Sequence, residues 1–166
     1  HDGSIKIERS SLEAVIAELP VAQVLAFSID DSGTTEIDDA LSVTSLSEDS
    51  YRIGIHIAAP GLVIAKNDVF DKVARARMST VYFPGDKITM LPDCVIEQFS
   101  LDEGAPRPAL SIYVDVDSQG VLNKESLQLR AEMVPVGASL RLENLERRVT
   151  EESLLNESDD LPFKAE

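Results

Sequence analysis

Five carboxylates fall within ten positions, Asp30, Asp31, Glu36, Asp38 and Asp39, inside the segment Ile29-Asp30-Asp31-Ser32-Gly33-Thr34-Thr35-Glu36-Ile37-Asp38-Asp39-Ala40. Like charges this close raise one another's pKa, so a folded cluster calls for cations or hydrogen-bond donors to stay ionised. Mg²⁺ or Mn²⁺ would supply that compensation. Mg²⁺ takes one or two carboxylates and completes its shell with water and substrate phosphate. Two such ions about 3.5 to 4 Å apart serve phosphodiester hydrolysis, by activating the attacking water and stabilising the leaving oxygen. The plainer reading is a solvated acidic turn. A calcium loop fails on spacing: it needs Gly at its sixth position and an acid at its twelfth. Counted from Asp30, those positions hold Thr35 and Leu41.

The rest of the composition bounds what such a site can belong to. At 166 residues, one domain is expected, and 43% hydrophobic with 27% charged residues is a globular composition. The net charge is −15. Phosphate neutralisation dominates nucleic-acid affinity, so that charge taken alone argues against RNA. The conflict eases if the acids gather divalent cations that meet the phosphate and basic RNA-gripping modules lie elsewhere. The longest apolar runs, such as residues 21–27, fall far short of the roughly 20 residues that span a bilayer, so no membrane span is expected. His1-Asp2-Gly3-Ser4 carries no signal-peptide features, and Cys94 is the single cysteine, which excludes an intramolecular disulfide and fits a reducing, cytoplasmic setting.

Elements that would position the acids can be read from periodicity. Leu12, Val15, Ile16 and Leu19 predict a helix over 10–19 ended by Pro20. Residues 24–29 and 40–43 predict two strands flanking the acidic loop. Residues 51–58 put Ile53, Ile55 and Ile57 on one face and Arg52, Gly54 and His56 on the other, a strand with one buried side, paired antiparallel to its predecessor through the turn at 47–50. Asn67 is placed to cap a helix through Arg77 that packs on the sheet. The stretch 82–92 reads as irregular, because two prolines and a glycine resist regular structure. Leu110 to Val116 alternate, a turn follows at 117–120, and the return arm takes in Leu127, Leu129 and Ala131 before a helix over 140–148. The fold class is therefore α+β, a mainly antiparallel sheet with packed helices.

Several segments in order resemble the ribonuclease II and ribonuclease R family: Ser28-Ile29-Asp30, Glu36-Ile37-Asp38-Asp39-Ala40-Leu41, His56-Ile57-Ala58, Arg77-Met78-Ser79-Thr80-Val81-Tyr82-Phe83-Pro84-Gly85, Met90-Leu91-Pro92 and Ser100-Leu101. The resemblance implies a lead-in over 1–23, the N-terminal part of the family's catalytic (RNB) domain over 24–150, and an acidic tail over 151–166. It implies metal positions at Asp30, Glu36, Asp38 and Asp39, with Asp38 the catalytic one, and a base-stacking clamp at Tyr82. An aromatic face binds any base, which suits sequence-independent degradation. Arg77 is the phosphate contact expected beside it, with Arg75, Lys87 and Arg107 as further basic groups; surface solubility explains these equally well. Asp31 would point away from Asp30 along an extended strand, and mid-strand His56 reads as structural.

The activity implied is Mg²⁺- or Mn²⁺-dependent 3′-to-5′ exoribonuclease hydrolysis of single-stranded RNA to nucleoside monophosphates. Two departures stand against it. Glu36 replaces the family's usual Asp, moving a carboxylate by about one C–C bond where catalytic geometry tolerates about 0.5 Å. Ala59 stands where an Asp is common. Family catalytic domains also continue to an arginine-bearing motif and are flanked by OB-fold RNA-binding domains, none of which this sequence holds; loss of one preorganised donor costs about 10² to 10³ in rate. The competing expectations are a catalytically impaired RNA-binding or protein-interaction module of the same fold, and an acidic domain that binds calcium or a basic partner.

Overall fold

A computed structural model describes residues 9–155 of the protein. Eight strands and five helices follow in the order α1 (Arg9–Glu18), β1 (Ala26–Asp30), β2 (Asp39–Ser47), β3 (Ser50–Ala58), α2 (Val69–Arg77), β4 (Val81–Phe83), β5 (Asp86–Ile88), α3 (Asp93–Phe99), β6 (Arg107–Asp117), β7 (Leu122–Val134), β8 (Val136–Arg141), α4 (Leu142–Leu145) and α5 (Glu151–Leu155). Six strands form one sheet in the order β7-β6-β3-β2-β1-β8, and β4 with β5 forms a separate hairpin. Every pairing is antiparallel except β1 with β8. The mainly antiparallel α+β expectation holds.

The register sorts the sheet into two unlike faces. Phe27, Leu41, Ile55, Ile112 and Leu129 are successive cross-strand partners and make one apolar row. That row is only partly covered by the described residues: Phe27, Leu41 and Ile112 are half-buried, while Ile55 is 38% exposed and Leu129 65%. β3 does have one buried side, but it is the side of Gly54 and His56 and not the isoleucine side. The reason is local: residues 20–24 border that opposite face, beside Thr44, Tyr113 and Glu132. There His56 is fully buried, with Nδ1 2.7 Å from Ser111 Oγ and Nε2 2.9 Å from Ser42 Oγ, and Tyr113 donates to Glu132 at 2.6 Å.

Four expectations need correction. The cap of α2 is Asp68, whose side chain accepts from Asp71 N, while Asn67 precedes it in a left-handed conformation. Phe70 of α2 packs with Leu12, Val95 and Phe99 of the neighbouring helices, and so joins a helical cluster separate from the one on the sheet. The stretch 82–92 is ordered: Pro84 and Gly85 (φ +85°) make the turn of β4–β5, the Pro-then-Gly pattern of a type II turn. Strand β8, paired with the edge of β1, takes residues 140 and 141 of what read as a helix over 140–148, and α4 forms a helix only over Leu142–Leu145. Of the acidic tail, residues 156–166 lie outside those described.

Gly54 is forced by this packing. A Cβ there would come within 2.3 Å of Ser42 Oγ and 2.9 Å of Tyr113 Cε1. We therefore expect Gly54→Ala to lower stability by about 1 to 3 kcal/mol in urea denaturation, the usual cost of overpacking; an unchanged midpoint would contradict this packing.

Candidate active site

Ile37 fixes the acidic loop. Its side chain is 1% exposed and belongs to the sheet's core cluster with Ala26, Ala40 and Leu101. Its N–H donates to Ser100 Oγ at 3.0 Å and its carbonyl accepts from Leu101 N at 2.9 Å. With Ile37 in the core, its neighbours Glu36 and Asp38 both line one cavity instead. Asp38 is further held by its carbonyl, which accepts from Ala58 N at 2.8 Å, and Asp39 opens β2 opposite Ile57. Upstream, Asp30 ends β1 beside Arg141 of β8, and Arg141 Nη1 donates to the Asp31 carbonyl at 3.0 Å. Ser32 N donates to Glu143 Oε1 at 3.1 Å, which closes the loop against α4.

Glu36 and Asp38 stand at the rim of a cavity of about 320 Å³ whose walls include Ile57, Leu91, Val95, Ile96 and Phe99. Apolar walls weaken hydration of the two carboxylates. The Asp38 carboxyl is accordingly held above the usual carboxylate range, first by burial, then by Glu36, Asp39 and Asp30, with Lys87 opposing. Glu36 receives Lys87 Nζ at 3.3 Å and a long 3.4 Å hydrogen bond from Thr80 Oγ1. Asp30 Oδ2 is buried and has no hydrogen-bond partner.

The donor set suits a hard divalent cation: every group is a carboxylate oxygen, and the unpartnered Asp30 oxygen is one a cation would satisfy. Among the described residues, no three His, Cys, Asp or Glu converge as a ready-made cation group. Asp30, Glu36, Asp38 and Asp39 are electrostatic neighbours and not a closed cage. Asp31 lies in the loop with its carbonyl engaged by Arg141, and His56 is spent on two serines.

Tyr82 sits on β4, 69% exposed, with its cross-strand partner Lys87 over its ring at 5.9 Å. Arg77 does not reach the acids. Its Nη1 donates to the Thr89 carbonyl at 2.8 Å and braces the hairpin against α2. Arg75 is paired with Asp71 on the helix surface. Sequence reasoning ranked Lys87 as one basic residue among several and passed over Thr80 and Thr35; the cross-strand register that brings Lys87 to the acids is visible only once the turn at 84–85 is recognised.

Raised acids at a site cost stability, which can be measured. The folded-state pKa of Asp38 lies above its unfolded value of 3.8, so the penalty is absent below that value and complete once pH exceeds the folded pKa. Asp38→Asn should therefore raise the melting temperature at pH 7, with the gain shrinking as pH approaches 3.8. A lower or unchanged melting temperature at pH 7 would count against the described electrostatics.

Comparison with known proteins bears on the family and the fold. The family model described as the RNB domain matches residues 20–157. Exoribonuclease 2 of Vibrio vulnificus is 35% identical over 134 residues, covering 80% of this chain and 20% of that protein. The chain thus spans about one fifth of that relative's length. Among solved structures, Mycoplasma genitalium RNase R in complex with ribose methylated single-stranded RNA superposes with a TM-score of 0.71 at 18% identity, over 88% of this chain and 22% of that one. Yeast Ssd1, titled a pseudonuclease, superposes with a TM-score of 0.70 at 22% identity, over 84% of this chain and 17% of that one. With the acidic loop, the sheet and the sequence match in agreement, the chain belongs to the RNB domain family.

Proposed function

We propose that this chain forms the acidic, cation-binding part of a 3′-to-5′ exoribonuclease that hydrolyses RNA phosphodiesters to nucleoside monophosphates. The observation that carries the reading is the pair Glu36 and Asp38 lining one cavity, with Asp39 and Asp30 near enough to raise the Asp38 carboxyl and one buried Asp30 oxygen unpartnered. Asp30, Glu36, Asp38 and Asp39 would hold Mg²⁺, or Mn²⁺ in its place. A bound divalent ion supplies Lewis acidity toward the attacking water and the scissile phosphate. Asp38 orients that water as the catalytic carboxylate. Tyr82 stacks on a base near the RNA 3′ end, where its exposure leaves the ring face accessible. Arg77, with one nitrogen committed to Thr89, has further guanidinium donors for a phosphate.

The working enzyme, on this reading, also needs the arginine-bearing remainder of the catalytic domain and OB-fold RNA-binding domains, in the same parent chain or a companion chain. The exposed apolar row through Ile55 and Leu129 supports this, since a contiguous apolar face of that kind marks an interaction surface. Among the described residues no helix is long and apolar enough to cross a membrane, and a single cysteine suits the cytoplasm we assign.

A second reading has its own support: a catalytically impaired RNB-like module for RNA or protein binding. Glu36 in place of the family's Asp, and a shared fold with a pseudonuclease, favour it. Degradation of a 5′-labelled single-stranded RNA with Mg²⁺ or Mn²⁺ separates the two. Stepwise 3′ trimming by this chain or by a longer form, abolished by Asp38→Asn, is the expected result; no trimming by any form would favour the binding module.

A further inference from the structure

The β4–β5 hairpin does not merely lie near the acidic loop; its Lys87 side chain reaches into that loop. Lys87 Nζ is 3.3 Å from Glu36 Oε2, donates to Thr35 Oγ1 at 2.6 Å, and stands 5.9 Å from the centre of the Tyr82 ring. An ammonium has three donor hydrogens and no acceptor, and these three neighbours are an anion, a hydroxyl and a π-face. Both ends of the ion pair are well shielded, with side-chain exposures of 22% for Lys87 and 12% for Glu36. Tyr82 and Lys87 are also cross-strand partners, so the position of one is the position of the other.

A divalent cation at Glu36 would sit within a few ångströms of that ammonium. Repulsion between the two is large at short range and poorly screened in a shielded site. The ammonium and the cation therefore contend for one carboxylate. We propose that Lys87 is a displaceable positioning residue, which neutralises Glu36 and ties the Tyr82 hairpin to the acidic loop while no cation is bound, and which gives up the carboxylate when a divalent cation binds. The inference rests on the reading of Asp30, Glu36, Asp38 and Asp39 as cation ligands. It adds that cation loading and the placement of the base-stacking tyrosine are coupled through one lysine, and such a coupling acts equally in both directions.

The test is a Mn²⁺ titration of the whole chain followed by electron paramagnetic resonance, with no RNA and no turnover. Lys87→Met keeps the length of the stem and removes the charge; Lys87→Arg keeps the charge; Lys124→Met removes an equal charge from exposed Lys124 on β7, near the far end of β6. Lys87→Met should tighten Mn²⁺ binding by about fivefold, the upper end expected for losing one such ion pair. Lys87→Arg and Lys124→Met should stay within about twofold of the unaltered chain. Equal or weaker binding by Lys87→Met overturns the inference and leaves the cation site standing. Equal tightening by Lys124→Met overturns it as well, by showing an effect of net charge alone. Absence of Mn²⁺ binding in every form overturns both the inference and the cation-site reading on which it rests.

Discussion

Burial of Ile37 is the constraint on which the acidic site depends. Removing an isoleucine side chain from water contributes about 1.5 to 3 kcal/mol, and here it comes with two backbone hydrogen bonds, to Ser100 Oγ and from Leu101 N. Ile37 enters the core while its neighbours Glu36 and Asp38 line the adjoining cavity. Repulsion between the carboxylates opposes that outcome, as the raised Asp38 carboxyl records. The apolar anchor therefore holds together charges that would otherwise separate. Ser100 and Leu101, distant in sequence, hold the backbone of Ile37, and Ser100 also lines the cavity beside Glu36 and Asp38.

The buried face of the sheet carries a polar seam beside its apolar core. The seam consists of Ser42, His56, Ser111, Tyr113 and Glu132, spread over β2, β3, β6 and β7. Burial and then the Glu132 neighbour push the Tyr113 hydroxyl up to about 12, and burial holds His56 below its ordinary value. Both groups are thus neutral near pH 7, and their hydrogen bonds meet without uncompensated charge on either ring. A slip of one residue in any of these strands would carry the serines to the other face and leave His56 unpaired. Register is set by this polar seam. The apolar row on the other side is consequently free to serve as a surface, since the strands do not need it to find their alignment.

Legibility in the sequence tracked the range of the forces involved. The β2–β3 and β6–β7 hairpins were readable because alternation and turn residues are local signals, and the acids were readable because their density between two apolar runs is itself improbable. Failures were of two kinds. Pro84 and Gly85 were taken as breakers, although in that order they form a turn and so create a hairpin. Strand β8 was missed because only its parallel pairing with β1, more than a hundred residues away, makes residues 136–141 extended. The isoleucines of β3 misled for a related reason: alternation reports which residues share a face, and not which face is covered. The engagement of Arg77 by the Thr89 carbonyl was equally illegible, since it depends on how the chain after β5 returns to α2.

A two-stranded hairpin is at best marginal on its own, so the placement of Tyr82 depends on what pins β4 and β5. Contacts that do so among the described residues include Arg77 to the Thr89 carbonyl, Met90 N to Thr80 Oγ1, and Lys87 to Glu36 and Thr35. The first two tie the hairpin to its own flanks; Lys87 ties it to the acidic loop, beside the long hydrogen bond from Thr80 Oγ1 to Glu36 Oε2. Ile37 and Lys87 thus play opposite parts. Ile37 is an apolar anchor that fixes the carboxylates whatever their charge state, while Lys87 is an ionic tie whose strength depends on the charge it meets. Any group that changes the charge at Glu36 leaves the burial of Ile37 unaltered and changes the hold of Lys87, and with it of the Tyr82 hairpin, on the acidic loop.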